Sequence, residues 1–363
     1  MDRALALALE GWGQVSPNPL VGAVVVSGGQ VAGEGFHAAF GEEHAERGAL
    51  RESGSLAAGS TLYVTLEPCA HRGKTAACTE AILAAGVHRV VFACRDPDSA
   101  AGGGETVLRQ AGLEVVAGVR ALEAARLNEA FIWDRSEQGP WVSLKLALSL
   151  DGRIAVRPGV RTDVTGEETA EFVHRLRARH DAIVVGGRTA VVDDPLLTVR
   201  RSPPPRIPPT RVVLDPSLQV SVESRLVASV DEAPLLFLCR EDSAKLHRTK
   251  FERRGAEVVS VPADRQGLLL GAAMSALRER GLRAILVEGG GRLAGAMLAE
   301  GLVRKQYLIY APVILGPEGV PAIASHTTAE RGDWNVVHRA GLGPDTLLEF
   351  EDRRARAVLR EVV

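Results

Sequence analysis

TLYVTLEPCAHRGKTAAC, residues 61–78, is a β-branched apolar run that breaks at Pro68 and then delivers two cysteines, Cys69 and Cys78. Its first six residues read as a strand opening into a loop. Upstream, His44-Ala45-Glu46 stands at the start of a helical pattern over 43–53. One imidazole and two thiolates are good zinc ligands, and three protein ligands leave a fourth position for water. Zinc lowers the pKa of such a water, so a nucleophilic hydroxide exists near neutral pH. Glu46 lies two residues after His44, where its carboxylate reaches that water without ligating the metal. It can then carry a proton from the water to a leaving amine. The competing reading is a structural zinc site or buried thiols. Structural sites usually close with four protein ligands, and no fourth is obvious locally.

Working outward, strand-like runs at 20–26, 89–94, 141–148, 181–187, 211–215, 234–239 and 283–290 alternate with helical patterns at 76–86, 166–179, 267–280 and 292–301. This alternation indicates an α/β protein with largely parallel pairing. The 363 residues suggest two domains, at about 150 residues each. NEAFIWDRSEQGP (128–140) is polar, ends in Gly139-Pro140 and precedes a fresh strand, so it reads as the boundary. The proline-rich SPPPRIPP (202–209) reads as a surface loop within the second domain.

Composition excludes several classes. A net charge of −2 gives no broad basic field, which argues against tight binding to a long nucleic acid. No apolar run is long enough to span a bilayer, and the first residues lack a signal-peptide layout. The chain therefore reads as cytoplasmic. There, Cys69 and Cys78 are better metal ligands than a disulfide, while Cys94 and Cys239 end apolar strands and read as small core residues.

A His-x-Glu segment followed by Pro-Cys and a second cysteine is the layout of zinc deaminases. In that layout the cysteines are two residues apart; here AHRGKTAA (70–77) separates them. With SPNPLVGAVVV (16–26), GEGFH (33–37) and HAERGAL (44–50), the segment resembles the deaminase domain of the bifunctional riboflavin-biosynthesis enzymes. These join a diaminohydroxyphosphoribosylaminopyrimidine deaminase to a 5-amino-6-(5-phosphoribosylamino)uracil reductase. The resemblance implies a cytidine-deaminase-like three-layer domain over 1–140, with one zinc ion on His44, Cys69 and Cys78. It makes Glu46 the proton shuttle and gives substrate contacts to Asn18, His37, His71, Lys74 and Asp96. The chain departs from the family at Ala76-Ala77, where prolines are usual, and in DSAAGGGE (98–105).

No intact GxGxxG follows an early strand in the second half, so an ordinary dinucleotide fingerprint is absent. VEGGGRLAGAML (287–298) instead puts three glycines between a strand and a helix, where backbone N–H groups can approach a phosphate. With SLKLALSLDGRIA (143–155), HRLRARHDAIVVGGRTAVVDDPLLTVR (174–200) and YLIYAPVILG (307–316), it resembles the reductase domain of the same family. That implies a dihydrofolate-reductase-like α/β domain over 141–363 using NADPH. Substrate contacts fall on Lys145, Arg177, Leu197, Arg200 and Glu288, with Arg177 and Arg200 suited to a phosphate. Cofactor contacts fall on Leu148, Asp163, Thr189, Asp193 and the loop Gly290, Gly291, Arg292, Leu293, Ala294, Gly295 and Ala296. Asp151 borders the same pocket. Departures are Arg161 and Asp163, where the family has serine and tryptophan, and Pro216, where it has serine.

The resulting expectation is a homo-oligomeric enzyme acting on a small pyrimidine ribotide, without nucleic acid or membrane. Two alternatives stay open at this level. One is a deaminase of bases in RNA with a C-terminal binding module; the other is a regulatory chain with a silent reductase half.

Overall fold

The computed structural model describes all residues except 72–76, 99–101, 138 and 325–332. It divides into two compact units, Met1–Gln138 with Arg356–Val363, and Gly139–Ala355. Among the described residues, no helix is long and apolar enough to cross a membrane.

The first unit is built on five strands in the spatial order Gln30–Phe36, Gly22–Ser27, Thr61–Leu66, Arg89–Cys94 and Glu114–Val116. Only the last three run parallel; Gly22–Ser27 is antiparallel to both its neighbours, so this sheet is mixed and not largely parallel. Successive strand residues point to opposite faces. Ala23 and Val25 pack with Ala45, Ala49 and Leu50 of the helix Ala45–Ser53 and with Ile82 of Cys78–Ala84. Val24 meets Ala4 and Leu7 of the helix Asp2–Ala8 on the other face. The sheet is thus the middle of three layers. Helix Ala45–Ser53 lies very close to Gln30–Phe36: a Cβ at Gly33 or Gly35 would collide with the carbonyls of Ala49 and Ala45.

The division between the units falls within the segment 128–140 read as the boundary, most of which is nonetheless packed structure. Glu129–Ser136 is a helix with Ile132 and Trp133 buried. Before it, Asn128 is 4% exposed and pairs with both backbone groups of Leu20: its Oδ1 accepts the amide at 2.7 Å and its Nδ2 donates to the carbonyl at 2.9 Å. A buried amide satisfied in this way fixes the loop that carries Asn18.

The main sheet of the second unit has, among the described residues, nine strands in the order Glu257–Ser260, Leu235–Cys239, Thr210–Leu214, Ala182–Gly186, Ala284–Val287, Trp141–Leu148, Lys305–Tyr310, Asp345–Asp352 and Trp334–Leu342. All neighbours are parallel except the last two pairs. Val184, Val212, Leu236 and Ile285 pack under Met274, Leu277 and Met297 on one face. Ile183, Val213, Phe237 and Leu286 meet Val173, Leu176 and Phe251 on the other. Burial on both faces is why these strands read as unbroken apolar runs.

The last eight residues, assigned by sequence to the second domain, cluster with the first unit. They belong to the helix Arg353–Glu361 and the end of the chain, where Val358, Leu359 and Val362 are buried and the Val362 carbonyl accepts the Arg95 amide at 2.8 Å. Fully burying an apolar side chain is worth about 1.5–3 kcal/mol. Deleting 356–363 is therefore expected to lower the unfolding temperature of the N-terminal unit by several degrees, on the scale by which a few kcal/mol shifts a small domain. Calorimetry of the full chain and the deletion checks this; an unchanged transition for that unit would refute it.

Candidate functional site

Two helix starts and one strand end bring the metal-binding set together. His44 is the N-cap of Ala45–Ser53, Cys78 opens Cys78–Ala84, and Cys69 follows the strand Thr61–Leu66. His44 Nδ1 lies 3.2 Å from Cys78 Sγ and 3.7 Å from Cys69 Sγ, and the three donor atoms fall within 4.8 Å of one another. Nitrogen and sulfur ligands at ~2.0 and ~2.3 Å from a tetrahedral zinc are separated by roughly 3.5–3.8 Å, so the donor set fits that ion. The Cys78 amide donates to Cys69 Sγ at 3.3 Å. Hydrogen bonding from Cys78, opposed by burial and reinforced by His44, lowers Cys69 to about 4. The hydrogen bond to Cys69 in turn raises His44. Glu46 is 4% exposed in the first turn of its helix, and burial pushes its carboxyl up.

These groups open onto a cavity of about 290 Å³. Its wall includes Asn18, His37, His71 and Asp96, so four of the five substrate contacts expected in this domain meet there with Glu46. The fifth, Lys74, lies outside the described residues. Burial lowers the pKa of His37. Its Nδ1 faces the Glu43 carbonyl at 3.1 Å, which assigns the proton to that nitrogen. Nε2 is then the acceptor for Asn18 Nδ2 at 3.1 Å, and the Asn18 amide is held in one orientation. Asp96 is pushed up to about 6 by burial, against a hydrogen bond from the Asp98 amide. No motif marks Glu67, yet its two oxygens accept the Glu105 amide at 2.9 Å and the Asp96 amide at 3.3 Å. Phe131 and Arg135 also line the cavity. They sit in the segment read as the domain boundary, where no motif marks them.

In the second unit the expected residues gather at the carboxyl ends of Ala182–Gly186, Ala284–Val287 and Trp141–Leu148. The chain's strand order reverses between the first two of these, the usual place for a ligand crevice. Glu288, just past its strand, is 8% exposed at the side chain and takes a bidentate contact from Arg177 at 2.6 and 3.0 Å. Lys145 Nζ approaches it at 3.4 Å. The Arg177 side chain is thus largely buried and bonded to Glu288, and its Nη1 also donates to the Thr198 carbonyl at 3.2 Å. Arg200 donates from its side chain to Thr198 Oγ1 at 2.6 Å and from its amide to His174 Nδ1 at 3.1 Å. Burial, with the Arg177 and Arg200 charges, holds His174 neutral at about 4. Leu197 is buried with φ of 56°, a strained backbone for leucine. Arg211, fully buried, donates to the adjoining Leu196 carbonyl at 3.2 Å and to Ser229 Oγ at 2.7 Å.

Thr189 lies on the helix Gly187–Asp193, and its Oγ1 accepts the Gly290 amide at 3.2 Å. Gly290 caps the helix Gly291–Ala299, whose first amides face this crevice end and suit an anionic cofactor group. The anion-facing set is narrower than expected. The Ala294 amide is already bonded to the Gly290 carbonyl, and Gly295 and Ala296 lie further into the helix. Leu148 and Ala294 belong to the hydrophobic core. Gly291 answers a packing need, since a Cβ there would strike the Pro321 carbonyl. Asp163 is exposed and paired with Arg161 at 3.2 Å. Asp193 is raised by burial first, then relieved by Arg161 and raised again by Asp163. Asp151 accepts the Leu315 and Gly316 amides at 3.0 and 2.8 Å, so it staples a turn.

With this geometry in hand, comparison with known proteins is specific. A RibD C-terminal domain matches residues 140–348, and a cytidine and deoxycytidylate deaminase zinc-binding region matches 1–94. The chain belongs to the RibD family. It is similar to the riboflavin biosynthesis protein RibD of Aquifex aeolicus, 39% identical over 87% of both chains. It is similar to that of Escherichia coli, 36% identical over 96% of this chain and 98% of the relative. Among solved structures, Acinetobacter baumannii RibD superposes with a TM-score of 0.82 at 32% identity, covering 97% of each chain. The Thermotoga maritima deaminase/reductase gives the same values. RibD membership makes this chain a bifunctional enzyme of riboflavin biosynthesis, a zinc-dependent deaminase with an NADPH-dependent reductase. The fold is accordingly a cytidine-deaminase-like domain followed by the RibD reductase domain.

The Glu288 cluster has a measurable signature. Burial raises this carboxyl, but Arg177 and then Lys145 outweigh it and hold it at about 2. A depressed carboxyl contributes stability above its ordinary value and loses it as pH falls through the folded value. Arg177→Met leaves the buried carboxylate without its main partner, which should cost about 3–5 kcal/mol near neutral pH. The cost should shrink as pH drops below the ordinary carboxylate range and Glu288 takes a proton. Urea unfolding near neutral pH and in acid tests this; an equal cost at both would overturn it.

Proposed function

We propose that the chain deaminates 2,5-diamino-6-ribosylamino-4(3H)-pyrimidinone 5′-phosphate hydrolytically. It then reduces the ribosyl group to ribityl, giving 5-amino-6-(5-phosphoribitylamino)uracil. The observation that carries this reading is the triangle of His44, Cys69 and Cys78 beside buried Glu46 on one cavity wall. It belongs to a chain whose other half is the reductase domain. The Thermotoga maritima relative is titled by the same two activities.

In this reading the three donors would hold one zinc ion, which would lower the pKa of a bound water and so supply a nucleophile near neutral pH. Glu46 accepts the water's proton and returns it to the leaving amine; its raised carboxyl pKa suits a group that must both take and give a proton. Asn18, oriented by His37, and Asp96 with His71 hold the pyrimidine edge. In the reductase, a bound NADPH would supply the hydride needed to reduce the sugar C1′. Gly290 to Leu293 and Thr189 receive its anionic portion, and Asp193 borders it. Lys145 and Glu288 contact the substrate, Arg200 meets its phosphate and Arg177 orients Glu288. Residues 1–140 serve deamination and 141–363 reduction, with 356–363 returned to the deaminase unit. The enzyme works in the cytoplasm, where its four unpaired cysteines persist, as a homo-oligomer.

Two variants separate metal binding from proton transfer. Cys78→Ala is expected to lose most of its zinc by elemental analysis. Glu46→Gln is expected to keep about one zinc per chain, following the three-ligand rule. It should lose deamination by at least ~10²-fold, the usual scale of general acid–base catalysis. NADPH oxidation with the deaminated ribotide serves as the control for an intact second site. Full zinc retention in the first variant, or near-normal ammonia release from the second, sinks the assignment.

A further inference from the structure

We propose that Arg135 reads the substrate's 5′-phosphate at the mouth of the deaminase cavity, and that Asp98 holds its guanidinium there in the free enzyme. The inference rests on the ribotide-deaminase reading of this cavity. Phe131 and Arg135 stand one turn apart on the helix Glu129–Ser136, so they share a face. The Arg135 guanidinium lies 4.7 Å above the Phe131 ring, a cation–π contact that limits its rotation. Its Nε is 3.5 Å from Asp98 Oδ2, and its Nη1 is 2.7 Å from Asp134 Oδ2. The Arg135 side chain is 28% exposed and that of Asp98 37%, whereas Glu46 is 4% exposed. The pair therefore marks the rim and the proton shuttle the floor.

Charge gives the reason for a cation at this rim. The described wall carries the carboxyl groups of Glu42, Glu46, Glu67, Asp96 and Asp98, and Arg135 is its single arginine or lysine among the described residues. His37 has its pKa lowered by burial, and His44 is engaged by the cysteines. A phosphate entering among so many carboxyl groups is repelled unless a permanent positive charge offsets them. A guanidinium is always charged, and its planar fork matches phosphate oxygens. Stacking on Phe131 orders the fork beforehand, which reduces the entropy lost on binding. Asp98 competes with the phosphate for the same group.

The test uses the full-length protein and ammonia release, with the ribotide and with the same compound lacking its 5′-phosphate. In Arg135→Gln the ratio of kcat/KM for ribotide over riboside should fall by roughly 10- to 100-fold, the range of a hydrogen bond to a charged group. The loss should sit in KM, not kcat. Arg135→Lys, which keeps the charge without the fork, should fall between. Inorganic phosphate should compete with the ribotide in the parent enzyme and lose that effect in Arg135→Gln. Asp98→Asn should lower KM for the ribotide. An unchanged ratio in Arg135→Gln, with both substrates lost or retained equally, overturns the proposal, as does a raised KM in Asp98→Asn. If the parent enzyme releases ammonia from neither compound, the ribotide-deaminase reading falls first.

Discussion

Parallel pairing is the constraint from which both sites follow. Thr61–Leu66 runs parallel to Arg89–Cys94, with Leu66 opposite Cys94, so the residues just beyond them emerge at one edge. Cys69 and Asp96 share a cavity for that reason. Ala182–Gly186, Ala284–Val287 and Trp141–Leu148 are likewise parallel neighbours, which sets Thr189, Glu288 and Lys145 at a common end. Parallel strands must be joined by crossovers, usually helices, and each such helix begins where its strand ends. Backbone amides not used within a helix therefore point at the same edge as the chemical groups.

What was legible in the sequence was chemistry held in short range. His44, Glu46, Cys69 and Cys78 fall within two short segments, and few other residue types do what they do. The inner strands of the second unit were legible because burial on both faces leaves an unbroken apolar run. Its antiparallel edge was not: Trp334–Leu342 alternates between exposed and half-buried residues and offers no apolar run. Asn128, Phe131 and Arg135 were illegible for another reason. Each is ordinary in its own segment and gains its role only when the helix Glu129–Ser136 is laid beside the N-terminal loops. Gly291 shows the converse ambiguity, because a glycine between strand and helix serves a ligand or a close backbone neighbour with the same residue. Its close neighbour, the Pro321 carbonyl, lies thirty residues away in the chain and is invisible to local sequence.

The charged groups divide by depth. Glu288, Arg177 and Lys145 are nearly out of water, so their attraction is offset by the cost of desolvation, and the net gain over an apolar substitute is small. What the cluster does supply is geometry: a bidentate contact admits one orientation of each partner. Arg211 serves the same end with neutral acceptors, tying Leu196 to the 226–233 segment and so holding the left-handed Leu197. The exposed pairs, such as Arg51 with Glu43 or Arg254 with Glu223, contribute little to stability by comparison.

The return of residues 356–363 to the first unit has a consequence for the order of biosynthesis. A ribosome completes the N-terminal unit's main body long before it reaches that segment. Elongation at ~5–20 residues per second puts roughly 10–40 s between the two. Through that interval the nascent unit lacks the segment that will bond the Arg95 amide, one residue from Asp96. The unit whose main body is made first is then finished only after Gly139–Ala355 has been made.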